Sequence, residues 1–128
     1  MIQVLLLISG GAIGTVFRYG LSVWIQRTMM NPFPWGILSV NVIGSFLIGF
    51  FWSLSEAFSF SSHTRLFLFT GFFGGFTTFS TFALDTMHLM KMGEYKLALL
   101  NVLASNILGI MGVFLGYMIG KNTAGLIK

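Results

Sequence analysis

The sequence predicts an all-α membrane protein: a single domain, residues 1–128, with four transmembrane helices, the third of them broken near the bilayer midplane. Of the 128 residues, 55% are hydrophobic and only 8% are charged, and the mean hydropathy is +0.89. Soluble proteins carry about 25% charged residues, so this chain has too little polar surface to face water. A transmembrane helix needs about 20 apolar residues, and four such stretches account for nearly the whole chain.

The composition also excludes several kinds of function. The chain has no cysteine, which excludes disulfides, iron–sulfur clusters and thiolate metal sites. The net charge is +4, but the basic residues are single and scattered, so the basic patch that binds nucleic acid is missing. No nucleophile is paired with a general base, and we therefore do not expect an enzyme.

The first predicted span runs from about residue 2 to residue 25. Its start lacks the basic region of a cleaved signal peptide, so we expect the segment to be retained. Arg18 is the one charge within it. This side chain is expected either to snorkel to the interface or to set a positive potential at a pore mouth. Asn31-Pro32-Phe33-Pro34 ends the span, because proline excludes the preceding residue from a helix.

Three further spans are expected at about residues 35–54, 66–90 and 95–119. The second has no charge. The third carries Asp85 and His88 towards its end, and a short tail from Lys121 to Lys128 follows the fourth. The sequence permits an ion pair between Arg18 and Asp85 but does not establish it.

The loop charges bear on orientation in the membrane. Four spans place both termini on one side, and cytoplasmic loops usually carry the excess of Lys and Arg. The three basic residues on the termini side are Arg65, Lys121 and Lys128, and the three on the other side are Arg27, Lys91 and Lys96. This balance predicts dual topology, in which copies insert both ways and pair as an antiparallel homodimer. The alternative is that so few charges make the rule uninformative.

The stretch from Gly71 to Phe82 predicts the break in the third span. Gly74-Gly75 costs about 1 kcal/mol per glycine in helix propensity. Four hydroxyl residues follow at once: Thr77, Thr78, Ser80 and Thr81. An unwound turn in the membrane is tolerated only when it is buried in protein or lines a cavity, and transporters use such turns to bind ions. The alternative is that these glycines and hydroxyls only allow close helix packing.

Phenylalanines alternate with the hydroxyl residues in this stretch. Phe76, Phe79 and Phe82 recur every three residues, which predicts a stack on one helical face. The edge of an aromatic ring is the positive part of its quadrupole. Ring edges and hydroxyl donors suit a small anion, whereas free carbonyls suit a small cation, and the residues alone do not decide between them.

Other polar residues at membrane depth extend the pattern. Asn41 lies near the middle of the second span, and Asn101 and Ser105 are spaced one helical turn apart in the fourth. Such residues are costly in a membrane and indicate function, although an interhelical hydrogen bond explains Asn41 equally well. A row of glycines in the fourth span indicates helix packing: Gly109, Gly112, Gly116 and Gly120.

The run Gly74-Gly75-Phe76-Thr77-Thr78-Phe79-Ser80-Thr81-Phe82 resembles the third-helix signature of the bacterial fluoride channels, the Fluc or CrcB family. The glycines from Gly10 onward with Arg18, and Asn41 in the second span, also fit this family. The resemblance extends along the entire chain.

This resemblance implies an antiparallel, dual-topology homodimer with two fluoride pores and one structural Na⁺ at its centre. By motif position it assigns the backbone carbonyls of Gly74 and Thr77 to the sodium ion, the ring edges of Phe79 and Phe82 to fluoride, and Asn41, Ser80, Thr81 and Ser105 to the polar lining of the pore. Arg18 and Asp85 are candidates for an electrostatic role, and family members often carry Glu near the position of Asp85.

The implied activity is passive fluoride efflux across the inner, cytoplasmic membrane of a bacterium, with fluoride, the lipid bilayer and a second copy of the chain as partners. A rival interpretation is a small dual-topology exporter coupled to protons. That mechanism requires an acidic residue in the first span, where this sequence has only Arg18.

Overall fold

The computed structural model describes residues 1–128, and the chain is helical almost throughout. Its elements are α1 (Ile2–Met29), α2 (Trp35–Ala57), α3 (Ser62–Arg65), a π-helix (Leu66–Phe73), α4 (Gly74–Phe76), α5 (Phe79–Lys91) and α6 (Tyr95–Ile127). The elements from Ser62 to Lys91 follow one another as a single span, so four helical segments are long and apolar enough to cross a membrane. The predicted all-α architecture with four spans is confirmed.

The helices run past the ends of the predicted spans. α1 continues to Met29 and α6 to Ile127, because hydropathy marks the part of a helix inside the membrane, whereas helical hydrogen bonding continues until something stops it. At the end of α1 that stop is Met30, which adopts the left-handed conformation with φ 49°. The segment with two prolines follows it, as the sequence predicts.

The third span is interrupted, but not at its glycine pair. Gly74 and Gly75 are helical, whereas Thr77 and Thr78 are extended, with φ/ψ of −94°/155° and −148°/118°. These two residues lie about halfway along Ser62–Lys91, and the span as a whole bends only slightly there. The expectation that the glycines unwind is therefore wrong in position by three residues.

Glycines instead bring the third span against α1. A Cβ at Gly75 would lie 2.6 Å from the Gly11 carbonyl oxygen, and one at Gly14 would lie 2.9 Å from the backbone nitrogen of Phe76. No larger residue fits at either place without moving backbone. Small residues at membrane helix contacts allow this close approach.

A second glycine contact joins α2 to α6. A Cβ at Gly116 would lie 3.0 Å from the backbone nitrogen of Phe50, and one at Gly120 would lie 2.6 Å from its carbonyl oxygen. The glycine row of the fourth span thus packs against α2, which confirms the packing interpretation.

The outer faces of the helices are apolar and open. On α1, Val16 is 71% exposed and Trp24 is 67% exposed, and on α6 Phe114 is 66% exposed. Exposed apolar area of this extent needs a non-aqueous environment or a protein partner. Together with the four spans, these faces make the chain a multi-pass membrane protein.

Candidate functional site

The interruption of the third span is organised around Thr78. Its hydroxyl accepts a hydrogen bond from the backbone N–H of Thr81 at 3.2 Å, which caps the N-terminus of α5 in the way that Thr does at many helix starts. The same hydroxyl lies 3.3 Å from that of Ser80 and donates to that of Thr81 at 3.1 Å. Three of the four hydroxyl residues that follow the glycine pair therefore lie together.

Asn41 of α2 binds the backbone of Thr78 through both ends of its amide. The Asn41 Nδ2–H donates to the Thr78 carbonyl at 3.1 Å, and the Thr78 N–H donates to Asn41 Oδ1 at 2.8 Å. The side chain replaces hydrogen bonds that the extended conformation removes from the helix. An asparagine amide has two N–H donors, so one of them stays available to another partner.

Backbone carbonyls at the interruption lose their usual helical donors. The N–H of Thr78, four residues after Gly74, donates to Asn41, and the N–H of Thr81, four residues after Thr77, donates to the Thr78 hydroxyl. The carbonyl of Gly75 instead accepts from Arg18 Nε at 3.0 Å. The carbonyls of Gly74 and Thr77 are thus left with free lone pairs, of the kind that can coordinate a small cation.

A groove of about 320 Å³ opens beside the interruption. Eleven residues of α2, the third span and α6 line it: Asn41, Gly44, Ser45, Ile48, Phe73, Thr77, Thr78, Phe79, Phe82, Ser105 and Asn106. The structure therefore brings Asn41, Phe79, Phe82 and Ser105 to one groove. Ser80 and Thr81 lie next to it through Thr78 but are not part of its wall.

The groove contains hydroxyls, amides and aromatic rings but no charged side chain. Phe79 and Phe82 lie with their ring centroids 5.4 Å apart and their planes at 55°. Phe79 is 78% exposed and Phe82 only 8%. Hydroxyl and amide donors together with ring edges can replace the hydration of a small anion without holding it by a full charge.

The predicted stack of Phe76 with the other two phenylalanines is wrong. The two extended residues at 77 and 78 separate Phe76 from α5. Phe76 is buried and stacks on Phe72, with planes 7° apart. A spacing of three aligns side chains only while the helix is continuous, so the interruption breaks the row.

Arg18 and Asp85 do not meet. Arg18 bonds to the Gly75 carbonyl, whereas Asp85 lines a separate groove of about 640 Å³ with His88 and Lys91. That groove lies between the second half of α1, the start of α2 and the end of α5. Although it is larger, it contains none of the hydroxyl residues and phenylalanines of the third-span motif.

Two polar residues lie behind the groove, the buried Asn101 and the half-buried Thr86. Asn101 is 1% exposed and donates to the hydroxyl of Thr86 at 2.9 Å. The sequence grouped Asn101 with Ser105 among the polar residues at membrane depth, but only Ser105 reaches the groove. Nothing in the sequence singled out Thr86, and Asn106, which does line the groove, was also missed.

Comparison with known proteins identifies relatives along the whole chain. Residues 5–117 match the family described as CrcB-like protein, Camphor Resistance (CrcB). A protein of Parabacteroides distasonis named fluoride-specific ion channel FluC is 70% identical over 128 residues, covering 100% of both chains. Proteins of the same name from Agrobacterium fabrum and Thermus thermophilus are 47% and 46% identical, covering 95% and 94% of this chain and 98% and 95% of their own.

Proposed function

The chain belongs to the CrcB family, and from this membership we propose that it is a fluoride-selective channel for passive fluoride efflux across the bacterial cytoplasmic membrane. The observation that supports this most directly is the uncharged groove at the interrupted third span, lined by Asn41, Phe79, Phe82 and Ser105. It offers anion donors at the point where the helix leaves its own backbone groups unpaired.

The chemistry of the groove suits an ion that is small and strongly hydrated. Conduction requires binding that is favourable enough to admit the ion and weak enough to release it. A buried Lys or Arg in the groove would bind fluoride too tightly for release, whereas hydroxyls, an amide and ring edges bind it weakly enough to let it leave. A membrane potential of 100 mV, negative inside, then supplies about 2.3 kcal/mol per charge to drive the anion out.

The proposed active form is an antiparallel homodimer of copies inserted in both orientations. The balance of basic residues between the two sides supports dual topology. The 78% exposure of Phe79 at the groove supports a second copy, because a ring that touches the conducted ion needs protein on its open side to keep lipid out. A tag on the C-terminus that is accessible from both sides of the membrane is the expected result, and access from one side only would contradict it.

The dimer would hold one structural Na⁺ through the carbonyls of Gly74 and Thr77. Both carbonyls have lost their helical donors, and Gly74 is exposed on the surface of the single chain, where a second copy could reach the same ion. Replacing sodium with a large organic cation should lower fluoride flux. Flux that is independent of the cation would contradict the site.

Ion efflux from liposomes that contain the purified protein tests the channel function. We expect fast fluoride efflux and negligible chloride efflux, without a proton gradient. Equal efflux of the two ions, or none, would contradict a fluoride channel, and dependence on a proton gradient would favour the exporter. Phe79→Ile and Phe82→Ile should each slow fluoride efflux sharply, since an aliphatic side chain has no positive ring edge.

A further inference from the structure

A chain of partly buried hydrogen bonds connects two groove residues behind the groove wall. Ser105 Oγ donates to Asn101 Oδ1 at 3.4 Å, and Asn101 Nδ2–H donates to Thr86 Oγ1 at 2.9 Å. The Thr86 hydroxyl donates in turn to the carbonyl oxygen of Phe82, also at 2.9 Å. The chain therefore begins at one wall of the groove, on α6, and ends at the backbone of a groove phenylalanine on α5.

The two middle members of this chain have no contact with the groove itself. Neither Asn101 nor Thr86 is among its lining residues, and Asn101 is 1% exposed. A hydroxyl carries one proton, so accepting from Asn101 leaves that of Thr86 directed at the Phe82 carbonyl. These residues can therefore act on a conducted ion only by positioning others.

The bond between Asn101 and Thr86 is the one side-chain hydrogen bond that joins α5 to α6. The other helix contacts of α6 are made mainly to α2, through glycines and through the Tyr117 hydroxyl, which donates to Glu56 at 2.9 Å. Lipid supplies no hydrophobic drive for helices to associate, so packing and interhelical hydrogen bonds decide their placement. This bond is therefore one of the contacts that set the separation of α5 and α6 beside the groove.

We propose that Asn101 and Thr86 are positioning residues that hold the Phe82 ring and the Ser105 hydroxyl at the separation that fluoride conduction requires. The consequence for transport rests on the proposed channel function. The positioning of the Phe82 backbone does not depend on that function. The effect on transport and the position of the backbone can therefore be measured separately.

Transport by matched variants tests the first part. Asn101→Leu and Thr86→Val remove the polar groups at nearly constant volume, and each should lower fluoride efflux several-fold. Thr86→Ser keeps the hydroxyl and should retain efflux close to that of the unmodified protein. Thr123→Val is the matched control, because Thr123 also donates to the carbonyl four residues before it in its own helix, at 2.8 Å, but lies far along α6 from the groove.

The double variant Asn101→Leu/Thr86→Val should conduct no less than the poorer single variant, because both changes break the same connection. Losses that multiply would contradict a shared role. Equal losses in Thr86→Ser and Thr86→Val would also overturn the proposal, since the hydroxyl would then not be the cause. If Asn101→Leu does not fold, the two Thr86 variants still decide.

A carbonyl NMR signal tests the second part without transport. Phe82-Ala83 is the one Phe–Ala pair in the chain, so labelling Phe with ¹³C at the carbonyl and Ala with ¹⁵N selects the Phe82 carbonyl alone. This signal should shift in Thr86→Val and Asn101→Leu and stay in place in Thr86→Ser and Thr123→Val. An unmoved signal in the first two variants would overturn the positioning role. Failure of the unmodified protein to conduct fluoride would overturn the channel function but leave this measurement valid.

Discussion

The two halves of the third span are held mainly by different kinds of contact. The upstream half, Ser62–Phe76, lies against α1 mainly through glycines, where the backbones touch and an added methyl group has no space, and Arg18 adds one side-chain hydrogen bond to the Gly75 carbonyl. The downstream half, Phe79–Lys91, is tied to α2 and α6 by side-chain hydrogen bonds at its start and one to two turns later. At the glycine contact of the upstream half, any larger side chain collides with backbone. In the downstream half, a single substitution can remove one hydrogen bond and leave the others in place. The half whose position can be changed by removing single hydrogen bonds is thus the half that contributes Phe79 and Phe82 to the groove.

The largest effect is expected from Gly14→Ala, at the contact of α1 with the upstream half. The new Cβ would overlap the Phe72 carbonyl and approach the Phe76 nitrogen to 2.9 Å. Overpacking against backbone costs about 1–3 kcal/mol, occasionally more, which outweighs the gain of about 1 kcal/mol in helix propensity. We expect a lower melting temperature and a smaller yield of monodisperse protein in detergent.

The matched control is Gly20→Ala in the same helix, where a Cβ would meet nothing within 4 Å. Here only the propensity gain acts, and the melting temperature should stay or rise. A similar loss for both variants would show that the glycine contact does not fix the upstream half.

Asn41→Leu should have the next largest effect, because it removes both bonds to Thr78. It leaves the Thr78 N–H and carbonyl without their partner. Unsatisfied groups cost about 1–3 kcal/mol each when fully buried, and the loss is smaller here because both groups are only partly buried. Both thermal stability and fluoride efflux should fall. Asn122→Leu, at an exposed position near the end of α6, is the control and should change neither. Unchanged stability in Asn41→Leu would refute the link between α2 and the interruption.

Thr78→Val removes the cap at the start of α5. The Thr81 N–H loses its acceptor, and losing such a cap costs about 0.5–2 kcal/mol. Thr78→Ser keeps the acceptor oxygen and should recover most of the melting temperature. If Thr78→Ser is as unstable as Thr78→Val, the lost methyl group and not the cap is responsible.

Phe79→Ile should change stability least while affecting transport strongly. Phe79 is 78% exposed on the single chain, against 8% for Phe82, and substitutions at exposed sites usually stay within about 0.5 kcal/mol. Phe82→Ile should therefore lower the melting temperature more than Phe79→Ile does, although both reduce fluoride efflux. These melting temperatures are measured on protein in which dimer formation is prevented, since a partner that covers Phe79 would raise its contribution. Equal losses of melting temperature in the two variants would contradict the view that Phe82, and not Phe79, is packed inside the single chain.

Much of the site was predictable because its residues are consecutive in sequence. The hydroxyls and phenylalanines from Thr77 to Phe82 and the amide of Asn41 were assigned to one place, and the structure brings Asn41, Phe79 and Phe82 to one groove. The bond from Asn101 to Thr86 was not predictable. A threonine in a helix can donate to the carbonyl four residues before it, as Thr86 does to Phe82, and its sequence position does not show that it also accepts from Asn101. A single sequence does not show which of several polar residues face one another.

By itself, the sequence determined the four helices and the polar, phenylalanine-rich interruption of the third, because apolar length and local residue type suffice for both. Only the tertiary structure decided that Thr77 and Thr78 leave the helix while the glycines stay in it, because the glycines contact α1 and Asn41 can replace the lost bonds of Thr78. It also decided that Arg18 bonds to Gly75 and not to Asp85. The position of the interruption and the partner of Arg18 depend on which distant segments pack together, and the local sequence does not contain that information.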